Sequence, residues 1–541
     1  EAFRIVEQSR ARSLLDLLGE VNAQITQGVP ADLLQKKQAN LERQQEIAEQ
    51  LSGVRLTGDA PSEPVDKLEQ ELEQLGTEYD AIENQIRTAN PRYGSLTAPQ
   101  TLSLEDAQRQ VLDDKTALAE YFLGANQSYL FVATNNAAAI YKIPSRGALN
   151  VQVTQMRDQI VPQSLRRSVV ALEGTRGLGD ERGLGINASS ALGNATAFAA
   201  ASNALYKSVL EPAAALVGDR RLVVVTDGAL SFVPFEALVS ATGSDYAALP
   251  YLVKTNEIVY SPSASVVAAI RQQSNAAQAA SARGVLVVAD PVFDPADTRA
   301  QKVAAPAGAD AATRGLGLSS ETEPAVASAV ADVTNSDQSG APQGTIRLAR
   351  LAGTRTEAQE IEKLARADGY APDLWLDLDA SEENIKTRDI TKYRLVHVAT
   401  HGLLDAERPQ FTGVVLSLVG NREGDGFLRT DEIFNLRLGA QLVMLSACET
   451  GLGKEKRGEG VIGLTRAFLY AGAPSVGVSL WSVADRSTAE LMTDFYRRLL
   501  AKQPTTTPPA ALRAAQQQMI DGKKYSAPFY WAPFVLVGDW K

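Results

Sequence analysis

Cysteine and histidine are almost absent from this chain. One cysteine, Cys448, cannot close an internal disulfide, so the sequence reads as an intracellular protein kept reduced, with the cytoplasm the expected location. Two histidines, His397 and His401, are the whole imidazole supply, so any mechanism that needs a neutral-pH base from histidine must use this one short segment. A Cys/His zinc site would have to be completed by carboxylates. The apolar runs, such as residues 222–225, fall far short of the ~20 residues that cross a bilayer, so no membrane span is expected. Positive charge is also in deficit. With 53 basic against 64 acidic residues the net charge is −11, and no overall field would recruit nucleic acid directly. The first residue, Glu1, already lies inside what reads as a running helix, so a processing boundary is expected there and the lack of a signal peptide excludes nothing.

What is present is an ordinary globular composition, 45% hydrophobic and 22% charged over 541 residues, enough for about three or four compact units at roughly 150 residues each. Residues 2–21 place Phe3, Val6, Ala11, Leu14, Leu15, Leu17 and Leu18 on one helical stripe, as expected of the last helix of a larger array. Between 64 and 90, Val65, Leu68, Leu72, Leu75, Tyr79, Ile82 and Ile86 alternate spacings of three and four, a heptad seam. Leu34, Leu41 and Ala48 recur at intervals of seven ahead of a breaker at 53–64, which predicts an antiparallel coiled-coil hairpin.

From residue 116 the period changes to that of strands. Runs at 116–123, 127–134 and 138–143, separated by short turns, predict an antiparallel meander. Helices at 151–159 and 196–217 then flank apolar runs at 222–226, 257–260 and 284–289, the alternation of an α/β layer. The glycine-rich piece at 174–185 has no strand before it and reads as a plain loop, and residues 295–344, poor in large apolar side chains, read as a long flexible loop. Further on, a helix at 356–367, strands at 395–399, 414–418, 442–446 and 476–480, and helices at 460–471, 487–502 and 508–520 predict a mostly parallel sheet wrapped by helices.

Two of those strands end on the rarest residues. The first runs through His397 to His401-Gly402 and the second through Ser446 to Cys448, and functional groups in open α/β sheets gather beyond the carboxyl ends of strands. A thiol is mostly protonated at neutral pH, and an adjacent imidazole that takes its proton yields a nucleophile for acyl transfer. The amides of Gly402 and Cys448 are candidate oxyanion donors. The plainer alternative leaves Cys448 as a buried filler and His401 as a turn or capping residue. His397, on the same face four residues earlier, reads as a core or supporting histidine. No G-x-S-x-G elbow supports a serine hydrolase.

Four motifs in order, His397-Val398-Ala399-Thr400-His401-Gly402, Leu445-Ser446-Ala447-Cys448-Glu449-Thr450-Gly451, Gly458-Glu459-Gly460-Val461 and Leu480-Trp481-Ser482-Val483-Ala484-Asp485, resemble the CHAT family of caspase-like peptidases associated with tetratricopeptide repeats, relatives of separases. Upstream, Leu118 to Leu123, Ser128 to Val132 and Val225 to Glu236 look like that family's non-catalytic first half.

The resemblance implies an α/β fold with a caspase-like sheet flanked by helices. In it a helical region at 1–95 with the end of a repeat array precedes a pseudo-caspase half at 100–290, a flexible loop at 296–344 and a catalytic half at 345–541. It further implies a cysteine endopeptidase with His401 as catalytic histidine, Cys448 as nucleophile and the Gly402 and Cys448 amides at the oxyanion hole. No cofactor or metal is implied. The loop at 451–460, with Lys454, Lys456 and Arg457, would border the substrate groove or stand as a solvated loop. Asp485 matches an acidic residue that in separase-like enzymes holds a basic side chain next to the scissile bond; alternatively it caps the helix expected near Ser487. The expected partners are a protein substrate and a regulatory protein acting through the N-terminal helices. A non-catalytic scaffold with a caspase-like fold and a cysteine acyl hydrolase or transferase acting on a small molecule remain open beside it.

Overall fold

The computed structural model describes residues 3–8, scattered positions between 30 and 47, then 65–89, 101–161, 194–277, 283–300 apart from 295, 348–403 apart from 349, 413–446 apart from 422, 423 and 435, 460–481, 485–501 and 506–541. The glycine-rich piece at 174–185, residues 12–29 and most of the 296–344 loop lie outside them. Two compact units emerge, one of residues 12–100 and 305–347, the other of residues 1–11, 101–304 and 348–541.

In the smaller unit, helix α1 (Val65–Ala89) runs antiparallel to helical residues between 32 and 47. Asn40 Nδ2 donates to the Leu75 carbonyl at 3.1 Å, Arg43 Nε reaches Glu71 Oε1 at 2.8 Å, and the Lys37 ammonium lies 5.6 Å from the Tyr79 ring centre. Leu33, Ile47, Leu68 and Ile86 are buried, while Leu72, Leu75, Tyr79 and Ile82 are only half-buried.

The larger unit is a mixed α/β structure with a central sheet flanked by helices. In chain order it runs α2 (Leu104–Gln110), β1 (Thr116–Phe122), β2 (Ser128–Ala133), β3 (Ala138–Ile143), α3 (Arg146–Ile160), α4 (Ala195–Val209), β4 (Arg221–Val225), β5 (Ile258–Tyr260), α5 (Ala264–Ala277) and β6 (Gly284–Pro291). It continues through α6 (Ala352–Ala367), β7 (Ala371–Asp377), β8 (Tyr393–Ala399), β9 (His401–Leu403), β10 (Gly413–Val415), β11 (Phe427–Arg429), β12 (Leu442–Leu445), α7 (Gly460–Tyr470), β13 (Ser475–Ser479), α8 (Asp485–Leu500), α9 (Pro508–Asp521) and β14 (Phe534–Gly538). Eleven strands form one sheet in the order β3-β2-β1-β4-β5-β14-β13-β12-β8-β6-β7, and β11-β10-β9 form a second, small sheet.

Strands such as β4 (RLVVV) and β12 (LVML) are apolar at nearly every position because both faces of a parallel sheet are covered. The edge strand β3 alternates exposed and half-buried residues instead. The last strand, β14, enters the middle of the sheet, parallel to β5 and antiparallel to β13, and so stitches the two ends of the chain order together. Gly477 permits that stitch: a Cβ there would lie 2.5 Å from the Met444 sulfur and 3.3 Å from Leu536.

Residues 3–8 belong to this unit. Phe3 is buried with Val111, Leu118, Val223 and Trp540, and the Glu7 carboxylate accepts from the Ala264 and Ser265 amides at 2.9 and 2.8 Å, capping α5 from outside. Among the described residues no helix is long and apolar enough to cross a membrane.

Two expected elements differ. The helix expected over 196–217 stops at Val209, is interrupted by a 3₁₀ turn at Glu211–Ala213 and resumes as Ala214–Val217, because Pro212 supplies no amide to continue the ladder. The strand expected over 414–418 is Gly413–Val415 and pairs in the small sheet, where β9 and β11 satisfy its edges.

A buried carboxyl in the β5 region makes stability depend on pH. Glu236 accepts the Tyr260 hydroxyl at 2.7 Å, and burial pushes its pKa from the ordinary 4.5 up to about 7. A raised carboxyl pKa contributes stability fully present below about pH 4.5 and lost as pH rises through 7, on the order of 3 kcal/mol. Urea unfolding at pH 5 and pH 8 is therefore expected to show Glu236→Gln gaining on the wild type by that amount at pH 8. Equal pH slopes for the two proteins would contradict this.

Candidate functional site

Strands β6, β8 and β12 run parallel, so their carboxyl ends share one edge of the sheet. Strand β8 ends at Ala399, Thr400 Oγ1 donates to the Val415 carbonyl, and the chain re-enters pairing at once as β9, with His401 opposite Val415 and Gly402 opposite Val414. His401 thus lies in a strand of the small sheet, and Gly402 belongs to a paired strand where a turn was expected. The expectation followed glycine's local preference, which cross-strand hydrogen bonding overrides. His401 is 7% exposed, and its ring centre is 5.1 Å from that of Phe293, tilted by 53°.

The residue before Phe293, Val292, is fixed at both its amide and its carbonyl. The Val292 amide donates to Ser417 Oγ at 3.1 Å, the Leu418 amide donates to the Val292 carbonyl at 3.0 Å, and Ser417 Oγ donates to the Asp377 carbonyl at 2.6 Å.

Beside β8, β12 pairs Met444 with His397 and Leu445 with Val398, and the Ser446 amide donates to the Val398 carbonyl at 2.9 Å. The nucleophile candidate Cys448 lies outside the described residues, as do its amide and the loop residues Lys454, Lys456 and Arg457. Asp485 opens α8, two residues earlier than the start expected from sequence. Trp481, in the same motif, is buried and its Nε1 donates to the Phe529 carbonyl at 3.1 Å. His397 is fully buried, as its place within the strand predicts.

The sequence reading missed a cluster at the same edge. Asp290, fully buried at the end of β6 with φ +48°, takes the Arg350 fork at 2.9 and 2.6 Å, Arg355 Nε at 2.6 Å and Arg299 Nη1 at 3.0 Å. Arg299 Nη1 also donates to Asp377 Oδ1 at 2.9 Å. Burial opposes ionisation of Asp377, yet Arg355 and Arg299 hold its pKa below the usual carboxylate range. The available signal was Asp290 itself, an acidic residue closing an apolar strand run, with arginines flanking the loop that follows. Among the described residues no three His, Cys, Asp or Glu side chains gather as metal ligands.

The family model described as CHAT domain matches residues 199–539. Tetratricopeptide repeat protein 28 of Mus musculus is 35% identical over 112 residues, 21% of this chain and 4% of that protein, and its Homo sapiens counterpart is 37% identical over the same length and shares. The chain thus spans about 4% of the length of these curated relatives. Among solved structures, the Saccharomyces cerevisiae separase–securin complex is similar at 10% identity and a TM-score of 0.40, covering 87% of this chain and 34% of that one. The Arg-specific cysteine proteinase gingipain R is similar at 12% identity and a TM-score of 0.34, covering 69% and 73%.

Proposed function

The chain belongs to the CHAT domain family, and we propose that it is a cysteine endopeptidase in which Cys448 and His401 form the catalytic pair. The observation that carries the reading is the parallel pairing of Met444 with His397: counted from that pair, Cys448 and His401 each come four residues later in the sequence, beyond the ends of the adjacent strands β12 and β8. In the reaction His401 takes the Cys448 proton, and the thiolate attacks the scissile carbonyl. The amides of Gly402 and Cys448 stabilise the oxyanion. Collapse of the intermediate breaks the C–N bond as the imidazolium protonates the leaving amine. A water, deprotonated by His401, then hydrolyses the thioester and frees the thiol.

The N-terminal helices carry regulation in this reading. The Glu7 cap on α5 supports it, since residues 3–8 are already anchored to the body that would be regulated. Such coupling requires a partner that binds two states of the enzyme with different affinity.

Asp485 sets the preference next to the scissile bond. A carboxylate there pairs bidentately with Arg and as a point charge with Lys, so Arg is favoured over Lys. A positional peptide library tests both statements. Hydrolysis of peptides, with cleavage after Arg preferred and that preference lost in Asp485→Ala while the unfolding midpoint holds, is the expected result. Best cleavage after an apolar or acidic residue, or an unchanged Arg preference in the variant, returns Asp485 to a helix-starting role. No cleavage of any peptide or protein argues against the peptidase itself.

A further inference from the structure

Below the two strand ends lies a buried polar contact that the peptidase mechanism does not use. Glu357, on α6, is 3% exposed, and its Oε1 lies 3.0 Å from Nε2 of the fully buried His397 on β8. The two atoms are close but not aligned for a hydrogen bond. The other oxygen, Oε2, accepts Ser446 Oγ at 3.4 Å, just past the end of β12. On the far side, His397 Nδ1 lies 3.0 Å from the Tyr496 hydroxyl of α8, with the two rings edge to face at 5.4 Å. Burial, and then the Glu357 charge, push the Tyr496 hydroxyl well above its usual range, so it stays protonated beside Nδ1.

The surroundings make this contact costly. Val287 and Met444, the cross-strand neighbours of His397 on the same face, are buried and apolar. Taking a carboxylate out of water into such a layer costs several kcal/mol, and a well-packed apolar pair in its place is often neutral or more stable. A burden of that kind calls for a geometric role, and the contacts indicate one. The two oxygens of a single carboxylate touch β8 through His397 and the end of β12 through Ser446, the two segments that lead to His401 and Cys448.

We propose that Glu357 is a positioning residue that orients His397 on β8 and Ser446 just past β12 relative to one another, and through them the approach of His401 to Cys448. The proposal rests on the Cys448–His401 pairing of the peptidase reading. Among the described residues the ionisable groups that interact with Glu357 are His397 from β8 by contact and Tyr496 from α8 through its charge; Ser446 faces it as a neutral donor.

Cys448 is the only thiol, so its alkylation by iodoacetamide between pH 5 and 10 reads that approach without any substrate. In the wild type, a neighbouring imidazole lowers the inflection of the rate, and His401→Ala should raise it. Glu357→Ala is expected to raise it by about one pH unit, which slows alkylation about tenfold at pH values well below both inflections, and Glu357→Gln, which keeps length and an acceptor, to restore most of the loss. Should Glu357→Ala fail to fold, Ser446→Ala, which cuts only the link to β12, is expected to move the inflection the same way. An inflection that moves in His401→Ala but stays put in Glu357→Ala, or in Ser446→Ala where that variant carries the test, overturns the positioning role and leaves the pairing standing. An inflection unmoved by His401→Ala removes the pairing, and the positioning role with it.

Discussion

Cys448→Ala and His401→Ala are each expected to lower peptide hydrolysis by on the order of 10³-fold or more, with the double variant no worse than either alone. The non-additivity is the informative part. A thiol without its base and a base without its thiol are equally unable to form the acyl-enzyme, so the second change removes nothing that the first left behind. His397→Ala is expected to behave differently. His397 is fully buried between Glu357 and Tyr496, so its loss leaves a carboxylate without its neighbour and lowers stability together with part of the activity. A fully active His401→Ala beside a dead but folded His397→Ala would reverse the assignment.

The second large effect concerns Asp290. Arg299 and Arg350 both bind its carboxylate, so one buried charge holds the chain on either side of residues 301–347. Its removal leaves three guanidinium groups facing a site built for an anion. Breaking a buried pair costs on the order of 3–5 kcal/mol. The lower end applies here, because the Arg350 and Arg355 side chains keep 43% and 28% of their exposure. Chemical denaturation of the full chain is expected to show Asp290→Ala less stable by about 3 kcal/mol. A loss of activity should accompany it, because Phe293, three residues on, packs against His401. An unmoved midpoint would mean that the arginines find water as good a partner as Asp290.

How much of this was legible follows from how local each signal is. Strands β1 to β4 stand out in the sequence because uninterrupted apolar or alternating runs meet clear turns, and Ala138–Ile143 coincides with its observed bounds. Strand β7, Ala371–Asp377, was missed because its run contains a proline and two aspartates, tolerable only on the edge strand that it forms beside β6. Strand β14 was missed because nothing local tells five residues after an aromatic turn that they will enter the middle of a sheet.

The same division holds at the site. His401 and the approach to Cys448 could be read from rare residues at strand ends. The supporting groups could not, since Asp290, Glu357 and Tyr496 acquire their roles from partners that, Arg299 beside Asp290 apart, lie 40 to 99 residues away. Glu357 left one trace, a carboxylate on the same buried helical stripe as Thr354, Ile361 and Ala365.

The most direct test of the account is intact-mass analysis of the full chain after treatment with a peptide ending in arginine that carries an electrophilic ketone at its carboxyl end. The account predicts a single adduct, mapped to Cys448, that forms far more slowly in His401→Ala, whereas plain iodoacetamide still alkylates both proteins. Failure of the peptide probe to label Cys448 while iodoacetamide alkylates it, or equal labelling with and without His401, would contradict a Cys448–His401 peptidase.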